Sequence, residues 1–537
     1  MCIAPSQGPI NSLDAGRSDW AHAMARSSGL CCSLLRAHTI LAVVIIVAAH
    51  SRNHIGGEAA RLMSSSSGGL SMNKTMAAAS GNGGMKMWVS HIYDAHSPAR
   101  PSNCDEVCVS ELRIKHLTES WEQRQALRNK SRSSAQNPQG VRPDDDYWPS
   151  GQVSTGYFHS GAQAEYYVEL SAGDPSNIQP ILLIVDTGSH LTWMQCKPCN
   201  PCYSQSFPVF DPRRSSTYTP QVPGSTYCDI LQNTGYGTGT DGGTCNYGLS
   251  YADGSSSQGQ LAFETMWFWD LNNNDEPVAY QLPFGCGFSN VNPVPTVTSG
   301  VLGLADELGL SWPEYWGGVY GYNPSFTFCF ASIFSQPNSG WIIFADGATT
   351  PTQGIPLYST IPILDQGGDG MTYMDVVDFI VNGQRVGIPD DVFDINPNDG
   401  SGGVLLDTGS MISEMVEDAY EPFKTAWQNA MEPILGEPDN SDTPGPPGFE
   451  MCWDYQNDVQ LPDMGFMFRD QQVFYLSARA KTLIYYSQSK RRRMCFPFRY
   501  KDQDNNPAMY WGSLNLHNHR IIFDKQNDVI SWQYNCC

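Results

Sequence analysis

Two apolar runs in this chain end in the same four residues. Ile181-Leu182-Leu183-Ile184-Val185 leads into Asp186-Thr187-Gly188-Ser189, and Val404-Leu405-Leu406 leads into Asp407-Thr408-Gly409-Ser410. A short unbroken run of this kind reads as a buried strand that stops at a small-residue turn. Between such runs, brief β-branched and aromatic stretches are punctuated by 50 Gly and 36 Pro, so a mostly β fold is expected. Sustained heptads and long amphipathic stretches are lacking. The clearest helix candidate runs from Glu417 to Met431, where Tyr420, Phe423, Trp427 and Met431 are spaced for one face.

Turns of this type from two similar lobes would bring their carboxylates face to face on a cleft floor. Two carboxyls about 3 Å apart cannot both ionise, so such a pair keeps one proton over a broad acidic range. One carboxylate then activates a water and the other donates a proton to a scissile carbonyl. A single Asp-Thr-Gly is an ordinary strand-ending turn. Two copies with matching apolar leaders and Ser in fourth place make Asp186 and Asp407 the candidate catalytic pair. The hydroxyls of Thr187, Ser189, Thr408 and Ser410 can bond nearby backbone and carboxylate oxygens and so orient the Asp side chains. Gly188 and Gly409 let the backbone approach the carboxylates and donate amide hydrogens. Such chemistry calls for no metal and no cofactor.

From about residue 155 to 537 the chain resembles the pepsin-like aspartic proteases, and within them the plant nucellin-like and nepenthesin-like group. Leu191-Thr192-Trp193 stands where the family has a tryptophan that hydrogen-bonds the flap tyrosine. The stretch Tyr251-Ala252-Asp253-Gly254-Ser255-Ser256 matches the flap, with Asp and Gly at its tip. The resemblance makes Tyr251 the residue that closes over substrate, with Trp193 and Gly254 beside it. Val301-Leu302-Gly303 and Tyr510-Trp511-Gly512 match the apolar pairs before a Gly that the family threads near each Asp turn. Cys196-Lys197-Pro198-Cys199-Asn200-Pro201-Cys202, followed by Phe207-Pro208-Val209-Phe210-Asp211-Pro212, resembles the cysteine-rich insertion of the plant group. His190 and Met411 stand where relatives commonly have small or polar residues, which bears on subsite shape. The fold implied is a bilobal, mostly β, pepsin-like one with the cleft between two similar lobes.

The body is strongly acidic. Of 31 Lys/Arg and 54 Asp/Glu, residues 1–150 hold 15 and 12, which leaves residues 151–537 at −26. Nucleic-acid phosphates would be repelled by such a surface, so Lys490-Arg491-Arg492-Arg493 reads as an exposed loop rather than a nucleic-acid patch. A high carboxylate content suits work in acid, where partial protonation relieves self-repulsion.

Residues 39–49 form an eleven-residue apolar run preceded by Arg17, Arg26 and Arg36 and ending in Val47-Ala48-Ala49. It is shorter than the roughly 20 residues of a spanning helix and reads as a signal peptide over 1–49, with an uncleaved signal anchor as the alternative. Residues 50–150, rich in Ser, Gly, Asn and Arg, read as a partly disordered prosegment. Within it, residues 110–127 could form a basic amphipathic helix whose Arg113 and Lys115 pair with body carboxylates near neutral pH. Asn73-Lys74-Thr75 and Asn129-Lys130-Ser131 are N-glycosylation acceptor patterns. The catalytic lobes are placed at 151–350 and 351–537. Destination in the secretory pathway is expected, either extracellular (apoplast) or vacuolar.

Of 16 cysteines, the eleven after residue 150 are Cys196, Cys199, Cys202, Cys228, Cys245, Cys286, Cys329, Cys452, Cys495, Cys536 and Cys537. Behind a signal peptide, disulfides are the natural reading. The 196–202 cluster also has spacing that suits zinc thiolates, but no partner His or second paired cluster follows at the usual distance. The family pattern implies Cys452 with Cys495; Cys286 with Cys329 is a further candidate. Pairings within 196–245 stay open, and an odd count leaves one body thiol free or bonded elsewhere.

Together these features point to an aspartic endopeptidase made as a zymogen, monomeric, active in acid, and acting on protein or peptide in extended conformation. The competing expectation is a catalytically dead binding protein on the same fold, resembling the plant xylanase inhibitors. Both Asp-Thr-Gly-Ser turns and the flap tyrosine are intact, which argues for activity.

Overall fold

The computed structural model describes residues 85–91 and 166–534, apart from 271–276, 294–295, 297, 307–308, 332–338, 353, 365–369, 441–448, 457–458, 479, 487–490 and 502–505. The signal segment, the helix candidate at 110–127 and both acceptor asparagines, Asn73 and Asn129, lie outside these residues.

Ten strands of the first half frame the site: β1 (Met85–His91), β2 (Tyr166–Ala172), β3 (Gln179–Asp186), β4 (Trp193–Gln195), β5 (Asn246–Ser250), β6 (Ser256–Asp270), β7 (Pro277–Val291), β8 (Gly300–Gly303), β9 (Phe326–Cys329) and β10 (Ser339–Phe344). The predicted apolar run lies in β3, which has β2 antiparallel on one side and β8 parallel on the other. A strand with neighbours on both edges and both faces covered needs an unbroken apolar run, which is what the sequence supplies.

Across the second half run β11 (Val404–Asp407), β12 (Ser413–Met415), helix α1 (Glu417–Leu435), β13 (Cys452–Asp454), β14 (Leu483–Tyr486), β15 (Arg492–Cys495), β16 (Met509–Gly512), β17 (His519–Asp524) and β18 (Val529–Tyr534). Here β16 lies parallel to β11 and antiparallel to β12, which repeats the placing of β8 against β3 and β4. The helix forms where the 3.6-residue pattern predicts it and buries Ala419, Tyr420, Phe423, Trp427 and Met431. Phe423 stacks on Phe379 at 4.1 Å between ring centres.

The halves are joined by strand pairing. Antiparallel β9 lies between β10 and β17, and β18 follows β17. Phe326 and Phe523 are register partners whose rings stack at 4.3 Å. On the other side of β10 lies β1, paired over Met85–Ser90, and β1 in turn pairs with β2 through Val89 to His91. Part of the stretch expected to be poorly ordered is therefore an interior strand. Docking explains the difference: β1 satisfies the facing backbone groups of β10 and β2 and buries Met87, neither of which a lone segment could do.

Of the basic run, Arg491 is exposed as expected, but the next two residues are not in an exposed loop. Arg492 and Arg493 belong to β15, between β13 and β14. The Arg493 side chain is 1% exposed and its guanidinium meets Asp454 at 3.1 Å and Asp439 at 3.4 Å. Arg491 also pairs with Asp454, and Arg492 lies 4.1 Å over the Tyr455 ring. Charges that read as free in sequence are consumed inside the second lobe.

Among the described residues four disulfides are seen: Cys196–Cys286, Cys199–Cys202, Cys228–Cys245 and Cys452–Cys495. The last joins register partners on β13 and β15, as the family pattern implied. Cys286 does not pair with Cys329. Parallel pairing of β4 with β7 sets Met194 opposite Cys286 and brings Cys196 to a Cα separation of 5.3 Å from it. Cys329 is itself disulfide-bonded; since the other eight bonded cysteines pair among themselves, its partner lies outside the described residues. With Cys196, Cys199 and Cys202 all in disulfides, the zinc reading falls.

Candidate active site

Asp186 closes β3 and Asp407 closes β11, and the turns after them meet with twofold symmetry. Each carboxylate accepts from the amide two residues on, Gly188 and Gly409, at 2.8 Å. Each also accepts from the hydroxyl three residues on, Ser189 and Ser410, at 2.6 Å. The two carboxyls come together at Gly188, where a methyl would stand 3.2 Å from Asp186 Oδ1 and closer still to Asp407. Both are almost wholly withdrawn from solvent. Burial lifts the pKa of Asp186 above the usual carboxylate range, against the pull of Ser189 and Gly188. Burial lifts Asp407 well above that range, and the charge of Asp186 adds to the effect. A side chain on Gly188 would come within 2.6 Å of the Asp407 Oδ1, and one on Gly409 would collide with Asp186. Bare backbone at both positions is what lets the carboxyls meet.

The threonine hydroxyls bond backbone oxygens, as the sequence allowed, and it is the crossing between lobes that the sequence did not disclose. These hydroxyls bond main chain across the lobes rather than the carboxylates. The amide of Thr187 donates to the Thr408 hydroxyl and that of Thr408 to the Thr187 hydroxyl, each at 3.0 Å. Those hydroxyls in turn donate to Leu406 O at 2.8 Å and Val185 O at 2.9 Å. Four buried hydrogen bonds thus lock the two turns together. Symmetry of the repeated motif was the available signal, because a twofold axis forces like residues to exchange like contacts.

Behind each turn passes a strand from elsewhere in its own half. Gly303 is the register partner of Asp186 and Gly512 of Asp407. A methyl on Gly303 would lie 2.7 Å from the His190 carbonyl, and one on Gly512 would lie 2.7 Å from the Ile412 carbonyl carbon. The predicted apolar-apolar-Gly triplets are therefore set where the family threads them.

The flap candidate is the turn between β5 and β6. Tyr251 N donates to Ser255 O and Gly254 N to Tyr251 O, each at 2.9 Å, while Gly254 takes φ 83°. The Asp253 carboxylate accepts from Ser255 N at 2.8 Å and from its hydroxyl at 2.6 Å, which fixes the tip. Trp193 Nε1 donates to the Tyr251 hydroxyl at 2.7 Å. The hydroxyls of Tyr251 and Ser189 are also hydrogen-bonded, so one chain of contacts runs from Trp193 through Tyr251 and Ser189 to Asp186. Burial and the charge of Asp186 raise the Tyr251 phenol well above its ordinary value, so it stays protonated.

His190 and Met411 are both buried. His190 Nδ1 meets the buried Tyr236 hydroxyl at 3.0 Å. Met411 packs with Ile412, Phe449, Leu483 and Leu514 around Cys452–Cys495. Met411 serves the packing of its own lobe, while His190 Nε2 lies beside Gly370 of the second half, 3.3 Å from where a methyl on that glycine would stand. Among the described residues, no group of three or more His, Cys, Asp or Glu side chains could hold a metal ion.

Two family models match consecutive parts of the chain, described as xylanase inhibitor N-terminal over residues 166–346 and xylanase inhibitor C-terminal over 373–533. Among curated proteins, the chain is 29% identical over 320 residues to the protein ASPARTIC PROTEASE IN GUARD CELL 2 of Arabidopsis thaliana, covering 59% of this chain and 62% of the relative. It is 32% identical to Aspartyl protease family protein 2 of the same plant over 58% of this chain and 60% of the relative. These two matches span less than two thirds of the relatives' lengths. Aspartic proteinase nepenthesin-1 of Nepenthes gracilis is 26% identical over 72% of this chain and 80% of its own. Solved structures share the fold: edgp at a TM-score of 0.54 and 14% identity, covering 68% of this chain and 91% of that one, and basic 7S globulin from soybean at 0.53 and 16%, covering 68% and 92%.

Proposed function

The chain belongs to the pepsin-like aspartic protease family, in its atypical plant subgroup, and from that premise we propose that it is an aspartic endopeptidase with Asp186 and Asp407 as its catalytic pair. The observation that carries this reading is the convergence of two buried carboxyls on one point: a methyl on Gly188 would lie 2.6 Å from Asp407 Oδ1 and 3.2 Å from Asp186 Oδ1, and burial raises the pKa of both. A raised, coupled pair holds one proton between two oxygens, so a base and an acid coexist in one site; the proton belongs to the pair and not to either residue.

In this mechanism the ionised carboxylate takes a proton from a water as the water oxygen attacks the peptide carbonyl. The protonated partner delivers its proton to the carbonyl oxygen and gives a gem-diol. Collapse then sends a proton to the amide nitrogen, which leaves as an amine, and a diol proton returns to the pair. Ser189 and Ser410 orient the carboxylates, and the threonine exchange holds the lobes in register. Tyr251, tied to Trp193, closes over an extended peptide and limits water around the dyad. Synthesis as a zymogen, entry to the secretory pathway and an acidic working range are further parts of the proposal. They rest on the leader-like front and on a body at −26.

A second reading, a binding protein on the same fold, is favoured by the descriptions of the two family models. The paired carboxyls argue against it. The test is cleavage of denatured globin by the full chain, with and without proteolytic cutting within residues 92–165, which leaves β1 in place, from about pH 3 to pH 7, beside Asp186→Asn and Asp407→Asn. Acid cleavage that both substitutions abolish supports the endopeptidase; a folded but inert wild type supports the binding protein.

A further inference from the structure

One of the four disulfides between described residues differs in its surroundings. Cys196, Cys286, Cys228, Cys245 and Cys495 are fully buried, and Cys452 is 1% exposed. Cys202 is exposed and Cys199 half-buried, with exposed Lys197, Pro198, Asn200 and Pro201 around them. Their bond spans three positions, against 17, 43 and 90 for the others. A bond that closes so short a loop removes little chain entropy from the unfolded state, so the fold depends on it least. It is also the bond that a dissolved thiolate can reach without opening the lobe.

The two sulfurs are not equivalent. Asn290, 1% exposed, donates from Nδ2 to Cys199 Sγ at 3.3 Å. Two oxygens also face Cys199 Sγ, Pro201 O at 3.5 Å and Gln195 Oε1 at 4.0 Å, both farther than the amide, and no donor contact is seen on Cys202 among the described residues. An amide N–H aimed at one sulfur favours negative charge there, which makes Cys199 the better leaving thiolate and leaves the more exposed Cys202 for attack. Asn290 does not act alone. Its Oδ1 accepts from the Ser257 hydroxyl at 2.8 Å, and Ser257 meets the Tyr247 hydroxyl at 2.7 Å. Tyr247 belongs to β5, the strand that leads into the flap turn. Main-chain bonds tie the same loop to β7: Asn200 N to Phe288 O and Asn290 N to Pro201 O, each at 2.8 Å.

We propose that Cys199–Cys202 is a thiol–disulfide exchange site, opened selectively by a dithiol reductant and linked through Asn290, Ser257 and Tyr247 to the base of the flap. A reductant thiolate attacks Cys202 Sγ, forming a mixed disulfide and releasing Cys199 as a thiolate beside the Asn290 amide. The second reductant thiol then attacks its own sulfur in the mixed disulfide. The reductant leaves as a disulfide, and two electrons and two protons have passed to the cysteine pair. The three buried bridges keep the lobes intact.

The test uses the folded full chain and does not depend on peptidase activity. Dithiothreitol is titrated under native conditions, free thiols are blocked by alkylation, and each cysteine is located by peptide mapping. Cys199 and Cys202 are expected to be alkylated at a reductant concentration about tenfold or more below that needed for the other bridges. Alkylation of Cys228 and Cys245, or of Cys452 and Cys495, at equal or lower concentration overturns the proposal. With glutathione in place of the dithiol, the trapped adduct is expected on Cys202; an adduct mainly on Cys199 overturns the assigned polarity. Hydrogen exchange of the amides in 246–257 is expected to speed up on selective reduction and in Cys199→Ser/Cys202→Ser, and unchanged exchange in both overturns the link to the flap.

Discussion

Thr187 and Thr408, 221 positions apart, each give their amide to the other's hydroxyl at 3.0 Å. The exchange ties the two Asp turns to each other and sits directly under the carboxyl pair. Thr187→Val keeps the shape but removes one acceptor and one donor from a buried site, at a cost of about 2 to 4 kcal/mol. Thr187→Ser keeps the hydroxyl and should stay within about 1 kcal/mol of wild type. Urea unfolding of the two variants separates them; equal stability would show that the hydroxyl carries no load.

Replacing one carboxyl changes how stability depends on pH. Burial raises both Asp186 and Asp407 above their unfolded range. A raised acid stabilises the fold fully below the unfolded pKa of about 3.9 and loses that contribution as pH rises through the folded value. Asp407→Asn cannot ionise and escapes this loss. Its unfolding midpoint should match wild type near pH 4 within a few degrees and exceed it by several degrees near pH 7. A constant difference across that range would contradict the raised pair.

The two threading glycines offer a test of topology. Gly303→Ala and Gly512→Ala each drive a methyl to 2.7 Å of backbone in the adjoining Asp turn. Backbone cannot yield as a flexible side chain can, so each substitution should cost about 2 to 4 kcal/mol and disturb the dyad. Denaturant midpoints check the stability loss, and a peptide-cleavage assay checks the site.

Tyr251→Phe removes the hydroxyl that Trp193 and Ser189 share. The fold should lose about 1 kcal/mol, because the ring and its packing remain. The effect on cleavage should be a drop of about tenfold in kcat/KM, since about 1.4 kcal/mol of flap positioning is lost in the transition state. Trp193→Phe should fall in the same range, and the double variant should be close to either alone. Strictly additive losses would mean that the pair does not act as a unit.

Strand β1 and strand β2 are adjacent and antiparallel, with His91 opposite Tyr166. Residues 92–165 therefore depart from and return to one point of the sheet. Replacing them by Asn-Gly should close a two-residue hairpin and leave a soluble, folded body. Deleting 50–165 instead removes β1, bares the edges of β10 and β2, and should yield aggregate. Size-exclusion chromatography distinguishes the two; equal solubility would show that β1 is dispensable.

What was legible in the chain was whatever repeats or has a period. Leu182 and Leu405 lie in strands because unbroken apolar runs before Asp-Thr-Gly leave few other structures, and Trp427 is buried because 3.6-residue spacing requires it. The dyad was legible through its duplication. Arg493 was misread because its partners, Asp439 and Asp454, lie on segments that only strand pairing brings near. Cys286 was misassigned for the same reason: the parallel pairing of β4 and β7 that sets it beside Cys196 leaves no local signature. Met85–Val89 is too short and too isolated for its sequence to disclose that a slot awaits it between β10 and β2.

The sheet that joins the halves orders its strands by space and not by synthesis. Phe326 finds its stacking partner in Phe523, almost at the other end of the body, while Met87 is held against a strand made about 250 residues later. Such pairings give the molecule a high contact order, so loop closure must precede the contacts that reward it and folding should be slow. A chain emerging from the ribosome cannot complete this sheet until β18, up to Tyr534, is free. Neither lobe can then be finished early and left to wait, and a stop codon upstream of Phe523 would forfeit both halves together.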